Sequence, residues 1–243
     1  MRNIKISENK KRNKTMIGIL GAMPPEVESI LASLAHKQAH PMSGTTYYTG
    51  KLHGKDVVVA RCGVGKVCAA VCAQTMILHF GAKALINTGV AGALDPVLSI
   101  CDVVVASDLV QHDVDTSPLG DPVGLISELN RVDMPTDPRL VALAEQTAAE
   151  IGQPTHRGRV ASGDCFVASP EKKQAIKDTF SALACEMEGG AMAQVCMMNQ
   201  IPFLVLRAIS DTADQRAEMD YPTFVSQAAH KMASIVLAML ENI

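Results

Sequence analysis

Residues 184–188 (ACEME) and 202–214 (PFLVLRAISDTAD) decide the fold of this chain. Each stretch is a short apolar run that ends in carboxylates, at Glu186 and Glu188 in the first and at Asp211 in the second. Continuous apolar runs of this length are typical of central strands in a parallel sheet that helices cover on both faces. The chain is therefore predicted to be an α/β protein.

Acids at the ends of two such strands also predict a site, because ligands bind in α/β proteins outside the carboxyl ends of the strands. Glu26 adds a third acid, since it lies in the first turn of a helix after the apolar run from Met16. Each acid has an alternative interpretation. Glu188 and Asp211 could cap the helices that follow them, and Glu26 could compensate a helix dipole.

The composition favours a large aliphatic core and a small-molecule partner. Hydrophobic residues make up 48% of the 243 residues and aromatic residues only 3%, so aliphatic side chains and Met must fill the core. The net charge of −3 argues against nucleic acid or an anionic membrane surface as a partner. No apolar run is long enough to span a bilayer, so we expect a soluble, cytoplasmic protein.

We expect one domain over residues 16–243, preceded by a basic leader over residues 1–15. The leader contains six Lys or Arg residues and one Glu, lacks the apolar segment of a secretory signal, and is expected to be disordered. The elements after it alternate between strand and helix. Strands are predicted over 16–23, 47–51, 56–61, 83–88, 101–109, 158–162, 182–185 and 203–209, and helices over 24–36, 66–80, 137–151, 170–180, 189–199 and 221–241. Residues 112–136, rich in Pro, Gly and Asp, predict a long functional loop.

Three further segments follow predicted strands. Residues 63–66 (GVGK) lack the spacing of a phosphate-binding loop and predict a tight strand-to-helix turn. Residues 87–92 (NTGVAG) predict a Gly-rich turn that either approaches a ligand closely or only reverses the chain. Phe166 either fills the core or offers a platform for a purine base.

Neither a metal nor a cofactor is predicted. The seven cysteines show no CxxC or Cys/His spacing, so we expect buried free thiols in a reducing compartment. Residues 112–115 (HDVD) contain three possible ligands, but no second His completes the set. Hydrogen bonding within the loop is the favoured interpretation.

Six segments, taken in order, resemble the nucleoside phosphorylase/hydrolase superfamily, and specifically its 5'-methylthioadenosine/S-adenosylhomocysteine nucleosidases. They are residues 18–26 (GILGAMPPE), 62–67 (CGVGKV), 87–92, 162–166 (SGDCF), 186–188 (EME) and 207–211 (RAISD). Together they span nearly all of residues 16–243. The resemblance implies a single-domain three-layer αβα sandwich with a central mixed, mostly parallel sheet, and a homodimer.

The resemblance also implies roles for individual residues. Glu26 would activate water, and Asp211 would protonate adenine at N7. Glu188 would hold the ribose hydroxyls, Met187 would pack beneath the sugar, and Arg207 would orient Glu26.

Further residues complete the expected substrate-binding set, and some of them depart from the family pattern. Phe166 would stack on the base, and the backbone of Val167 would read the purine edge. The set also includes Glu186, Ser210, Val90 and Leu119. Val90 and Cys68 stand where the family often has Ser and Asn, and Leu119 stands where an aromatic residue commonly lines the alkylthio pocket.

The residue types fit cleavage of an N-glycosidic bond. An acid must protonate the adenine leaving group, and a base must deliver water to the opposite face of an oxocarbenium-like sugar. Asp ordinarily ionises near pH 4, so burial or nearby acids must keep Asp211 protonated. Hydrogen bonds from two vicinal hydroxyls would favour the ionised form of Glu188.

Hydrolysis is favoured over phosphorolysis, because the places where phosphate-binding arginines are expected hold Pro24, Pro25, Glu26 and Val90. Three alternatives stay open. They are a purine or uridine phosphorylase, a hydrolase of 6-amino-6-deoxyfutalosine, and a non-catalytic nucleoside-binding module. The module is disfavoured because binding alone does not require a water-activating Glu26.

Overall fold

The computed structural model describes residues 15–213 and 217–243, which contain ten strands and six α-helices. The strands are β1 (Met16–Gly21), β2 (Ala35–Met42), β3 (Thr45–Leu52), β4 (Lys55–Arg61), β5 (Ala82–Ala93), β6 (Val103–Gln111), β7 (Met134–Pro135), β8 (Thr155–Ser162), β9 (Ala184–Glu186) and β10 (Phe203–Asp211). The helices are α1 (Pro24–Ala32), α2 (Lys66–Leu78), α3 (Pro138–Glu150), α4 (Pro170–Phe180), α5 (Gly189–Met198) and α6 (Ala217–Asn242). The expected leader lies outside the described residues, except for Thr15.

The strands form one mixed sheet in the order β10-β6-β8-β9-β5-β1-β4-β3-β2, and β7 pairs with β6 beside this path. The central pairs β1–β4, β1–β5 and β5–β10 are parallel. Antiparallel pairs occur in the β2–β3–β4 meander and where β9 meets β5. Because β1, β5 and β10 are neighbours that run parallel to one another, their carboxyl ends come together at one edge.

Helices cover both faces of the sheet, as the apolar runs predict. On one face, β1, β4, β5 and β10 pack against α1, α3 and α6 through side chains such as Ile30, Val141 and Met232. On the other face, α2 and α5 contribute Met76 and Met192. These layers confirm the expected α/β sandwich, with a core made almost entirely of aliphatic and Met side chains.

Several predicted boundaries were wrong. The first helix ends at Ala32 instead of residue 36, and β2 follows it; β2 escaped prediction because six of its eight residues are exposed and show no apolar alternation. Residues 112–136 are more ordered than a loop, since they include 3-10 turns at Ser117–Leu119 and Ser127–Leu129 as well as β7. The strands predicted over 47–51 and 56–61 are present as parts of β3 and β4, which form an antiparallel hairpin.

The described part of the chain contains no helix that is both long and apolar enough to cross a membrane. All seven cysteines carry free thiols, and four of them are buried. Cys68 is an exception to the expected burial, because it is exposed on α2.

Candidate active site

Three predicted acids line one cavity of about 300 Å³ at the carboxyl ends of the central strands. Glu26 lies in the first turn of α1, Glu188 directly precedes α5, and Asp211 is the last residue of β10. All three are buried, with 7% or less of each residue exposed. The rest of the lining is mostly apolar and comprises Ala22, Met23, Val64, Val90, Ala91, Gly92, Cys165, Phe166, Val167, Cys185, Glu186, Met187, Ser210 and Tyr221.

Two glycines of β5 make room for these carboxyls. A Cβ atom at Gly89 would lie 2.5 Å from Oε1 of Glu26, and one at Gly92 would lie 2.8 Å from Oδ1 of Asp211. The predicted turn over residues 87–92 was therefore wrong. The segment continues β5 and pairs with β10, and its glycines permit close approach of the acids.

Glu26 is held in place by three backbone N–H groups. Its Oε2 accepts from Ala22 at 2.6 Å and from Met23 at 2.9 Å, and its Oε1 accepts from Val90 at 3.0 Å. Burial raises the pKa of Glu26, against the opposing effects of Arg207 and of the three backbone donors. The carboxylate is thus a fixed and strengthened base facing the cavity, which suits proton abstraction from water.

Arg207 does not contact Glu26 through a hydrogen bond, contrary to the expected orienting role. Its guanidinium donates instead to the carboxylate of Glu186 and to the side chain of Asn87. Oε2 of Glu186 also accepts two backbone N–H groups at the start of α5, at 3.0 and 2.7 Å. A buried charge needs a partner, so Arg207 and Glu186 stabilise one another and the start of the helix that carries Glu188.

This pairing also decides the charge of Glu186. Burial alone would raise the pKa of Glu186, but Arg207 and the neighbouring hydrogen-bond donors lower it. Glu186 borders the cavity, but its carboxylate oxygens accept hydrogen bonds from Ser162, Arg207 and the start of α5. Its negative charge therefore stabilises the surrounding structure. Arg207 then acts on Glu26 only through its positive charge.

Glu188 accepts a backbone hydrogen bond from Gly65 at 2.8 Å. Gly65 has a φ of 97°, in the left-handed region that favours glycine, so residues 63–66 form the predicted tight turn and also supply a donor to the site. Burial, followed by the charge of Glu186, raises the pKa of Glu188 to about 8. Burial thus disfavours the ionised form that ribose binding is expected to require.

Asp211 is fixed by its chain neighbours. Its Oδ2 accepts from Oγ of Ser210 at 2.9 Å, and its Oδ1 accepts from the N–H of Ala213 at 2.9 Å. Ser210, an expected substrate-binding residue, thus supports the carboxyl of Asp211. The arrangement holds the acid at the same cavity that the apolar wall of Phe166 and Val167 borders.

Two aromatic rings flank the cavity. The residue Phe166 is 48% exposed, so it does not fill the core, and its ring meets that of Tyr221 edge to face, with centroids 5.6 Å apart. Tyr221 was not identified from the sequence. Burial, followed by Glu26, Glu188 and Asp211, raises its pKa to about 12, so its hydroxyl is a donor at neutral pH.

Leu119 does not line the cavity, although it was expected to contact substrate. It lies in the 3-10 turn Ser117–Leu119 and is 84% exposed. The other expected contacts, Met187, Val167 and Val90, do border the cavity. The bond from Val90 to Glu26 comes from the backbone N–H, so it does not depend on which side chain occupies this position.

No group of three or more His, Cys, Asp or Glu side chains among the described residues is arranged to hold a metal ion. In the segment 112–115, Asp113 accepts from Nζ of Lys66 at 2.6 Å and from the N–H of Asp164 at 2.8 Å. These contacts join the segment to other parts of the chain, whereas the prediction was hydrogen bonding within the loop.

Comparisons with known proteins give one consistent family. The model of the phosphorylase superfamily matches residues 16–241. A 5'-methylthioadenosine/S-adenosylhomocysteine nucleosidase of Shewanella loihica is 36% identical over 229 residues, which cover 93% of this chain and 99% of that protein.

Solved structures agree with this result. S-adenosylhomocysteine nucleosidase from Streptococcus pyogenes, in complex with 5-methylthiotubericidin, is 39% identical with a TM-score of 0.91, covering 96% of this chain and 99% of that one. Futalosine hydrolase of Helicobacter pylori is 38% identical with a TM-score of 0.91, covering 95% and 99%. The chain therefore belongs to the phosphorylase superfamily and, within it, to the 5'-methylthioadenosine/S-adenosylhomocysteine nucleosidase family.

Proposed function

We propose that the protein is a hydrolase that cleaves the N-glycosidic bond of 5'-methylthioadenosine and S-adenosylhomocysteine and releases adenine. The observation that carries this proposal is the convergence of Glu26, Glu188 and Asp211 on one cavity of about 300 Å³. The names of the relatives from Shewanella loihica and Streptococcus pyogenes support the same activity.

Asp211 is the proposed general acid. Adenine leaves poorly as an anion, so a proton delivered to its N7 must accompany bond cleavage. The carboxyl group is buried at the cavity, and Ser210 and Ala213 fix its orientation. A fixed carboxyl that needs no reorganisation is what proton transfer in the transition state requires.

Glu26 is the proposed base that activates water. Each carboxylate oxygen has two lone-pair directions, and the three backbone donors use three of the four. The remaining direction, on Oε1, is available for a water that attacks the sugar. Because burial raises the pKa of Glu26, the carboxylate takes the proton of that water more readily than an exposed Glu would.

Glu188 and the apolar wall are proposed to hold the nucleoside. Glu188 accepts from the two vicinal ribose hydroxyls, while Met187 packs beneath the sugar. Phe166 stacks on the adenine, and the backbone of Val167 reads the purine edge. All four residues border the same cavity as the proposed acid and base.

Water, and not phosphate, is the proposed nucleophile. Among the described residues that line the cavity there is no Lys, Arg or His, whereas four Asp or Glu residues are present. The nearby guanidinium of Arg207 is engaged with Glu186 and Asn87. A phosphate ion would meet carboxylates without a cation to bind it, which disfavours a phosphorylase.

A second candidate substrate is 6-amino-6-deoxyfutalosine, because futalosine hydrolase of Helicobacter pylori has the same fold over 95% of this chain. Its cleavage would use the same acid, base and sugar-binding carboxylate. The two activities differ in the 5' group only.

The function is tested by incubating the purified protein with methylthioadenosine in phosphate-free buffer and measuring free adenine. We expect adenine release whose rate is unchanged when phosphate is added. The same assay with S-adenosylhomocysteine and with 6-amino-6-deoxyfutalosine ranks the candidate substrates. Strict dependence on phosphate would overturn the hydrolase proposal in favour of a phosphorylase.

Ligand affinity is expected to rise with pH because of Glu188. Its pKa of about 8 means that only about one tenth of the free protein carries the ionised carboxylate at pH 7. Hydroxyl donors bind the ionised form better, so binding should release a proton. We expect the affinity for a non-hydrolysable nucleoside analogue to increase about tenfold between pH 7 and pH 9.

Calorimetric titration in buffers of different ionisation enthalpy measures both the affinity and the released proton. Glu188→Gln serves as the control and should bind more weakly, with no alkaline increase. An affinity in the wild-type protein that does not change over this range would contradict the assignment of Glu188.

We also propose that the protein forms a homodimer. In support, α2 exposes a row of apolar side chains, Val67, Val71 and Leu78. Exposed apolar side chains grouped in this way often mark an interface. Sedimentation at micromolar concentration should give the mass of two chains, and a monomer would overturn the proposal.

A further inference from the structure

Three chain segments meet on the outer side of the cavity wall and are tied together by one lysine. Nζ of Lys66 donates to Oδ1 of Asp113 at 2.6 Å and to Oε1 of Gln111 at 3.1 Å. The backbone N–H of Lys66 donates to Oδ1 of Asp164 at 2.7 Å, and the N–H of Asp164 donates to Oδ2 of Asp113 at 2.8 Å. We call this closed ring of Lys66, Asp113 and Asp164 the Lys66 clasp.

The clasp is more than a surface ion pair. The side chains of Lys66 and Asp113 are 17% and 29% exposed, so solvent screens them only in part. Each carboxylate in the ring accepts a charge-assisted or backbone hydrogen bond, and the ring closes without an unpaired member. Such a ring restricts the relative positions of the three segments that carry it.

Two of those segments carry proposed nucleoside contacts. Gly65, which directly precedes Lys66, donates its N–H to Glu188 at 2.8 Å. Phe166 follows Asp164 by two residues and borders the cavity, as does Val64 in the turn. The fit is tight, because a Cβ atom at Gly65 would lie 3.0 Å from Oδ1 of Asp164. The clasp therefore connects Glu188, which is proposed to bind the sugar, with Phe166, which is proposed to stack on the base.

We propose that Lys66 is a positioning residue for nucleoside binding, which holds the N–H of Gly65 on Glu188 and fixes the distance between Glu188 and Phe166. This inference rests on the proposed function of the cavity. Lys66 itself does not line the cavity, and the four hydrogen bonds of Lys66 and Asp164 described above join neither Glu26 nor Asp211. Its loss should accordingly weaken binding and leave the chemical step largely intact.

A pH readout distinguishes this role from a general effect on stability. The hydrogen bond from Gly65 lowers the pKa of Glu188, in opposition to burial and to Glu186. If the turn loosens, that donor is lost, and the alkaline rise in affinity should move to higher pH. The other ionisable groups that face Glu188 keep their places in the variant; they are Glu186, Arg207, Glu26, Tyr221 and Cys62.

The test compares Lys66→Met with Lys51→Met in the adenine-release assay. Lys51 makes a similar ion pair, with Asp56 at 2.8 Å, but lies in the β3–β4 hairpin away from the cavity. We expect Lys66→Met to raise KM on the order of tenfold or more, as loss of a hydrogen bond to a charged group implies, with kcat little changed. Lys51→Met should behave like the wild-type protein.

Two further variants distinguish the proposed role of Lys66 from a loss of folding. Asp113→Asn keeps the shape of the clasp and weakens its charge, so it should shift KM and the pH profile in the same direction by less. Lys66→Arg keeps the charge and should restore most of the affinity. Melting temperatures of all variants confirm that the folded protein is compared.

The outcomes separate the two proposals. Absence of adenine release by the wild-type protein, with every candidate nucleoside, would overturn the proposed function. Release by the wild-type protein, with the same KM and the same pH profile in Lys66→Met and Lys51→Met, would overturn the role of Lys66. A fall in kcat at unchanged KM would also overturn it, because that result would place Lys66 in the chemical step.

Discussion

Asp211→Asn is expected to lower the turnover number for adenine release by about 100- to 10,000-fold, the usual contribution of a general acid. The amide has nearly the shape of the carboxyl but cannot donate the proton that the leaving adenine needs. KM and the affinity for a non-hydrolysable analogue should change little, because the loss falls on an interaction made in the transition state.

The structure explains why this substitution should be tolerated by the fold. An Asn oxygen in the Oδ1 position still accepts from the N–H of Ala213. The Asn nitrogen in the Oδ2 position can donate to Oγ of Ser210, whose own hydrogen can turn to the carbonyl of Ala91, 3.4 Å away. The bond to Ala213 keeps its direction and the bond to Ser210 reverses, so both contacts survive the substitution.

Steady-state rates, analogue affinity and a thermal melt on the same preparation test this prediction. Asp95→Asn is a suitable control, because Asp95 accepts a backbone bond from Val97 and pairs with Lys177 outside the cavity lining. The control should retain full turnover. Near-full activity of Asp211→Asn would remove Asp211 from the role of acid.

The sequence predicted the meeting of the acids because a simple topological rule governs it. Apolar runs that end in carboxylates deliver those carboxylates to the carboxyl edge of a parallel sheet, and Glu26 after β1 and Asp211 at the end of β10 follow this rule. Glu188 joins them from β9, which runs antiparallel to β5, so the rule does not account for its place in the cavity. The rule needs only the direction of each strand. It does not depend on accurate strand ends, so errors of a few residues in the predicted boundaries did no harm.

Pairing between side chains was less predictable, because several acids compete for one buried cation. Arg207 could have paired with Glu26, Glu186 or Glu188. The sequence contains no information on which of these carboxylates its side chain reaches. The structure pairs it with Glu186. Burial, followed by the neighbouring carboxylate of Glu186, raises the pKa of Glu188, and both effects require the three-dimensional arrangement.

Residues that join the site from a distant element were missed for a related reason. Tyr221 lies on α6, whose apolar face predicts only that the helix packs against the sheet. Its ring reaches Phe166 because the helix crosses the carboxyl edge, and helical periodicity does not predict that crossing. Leu119 is the opposite error. The resemblance implied that it contacts substrate, but in this chain it is exposed and does not line the cavity.

Glu26→Gln is expected to lower turnover by about 100- to 10,000-fold as well, because the amide can orient a water molecule but cannot take its proton. The structure adds a cost in stability. If the Gln oxygen keeps the bonds from Ala22 and Met23, its NH₂ group faces the N–H of Val90, which now has no acceptor. An unpaired buried N–H group costs about 1–3 kcal/mol of the free energy of unfolding.

Turnover must therefore be measured well below the melting temperature of the variant, together with the affinity for a cationic analogue of the transition state. Measurable binding with lost turnover identifies Glu26 as the base. Glu28→Gln is the matched control, since Glu28 lies two residues further along α1 and is exposed, and it should leave rate and stability nearly unchanged.

If Glu26 only compensates the dipole of α1, Glu26→Gln should reduce stability and leave adenine release at the wild-type rate. The two roles predict opposite results in the rate assay, so one variant and its neighbour decide between them.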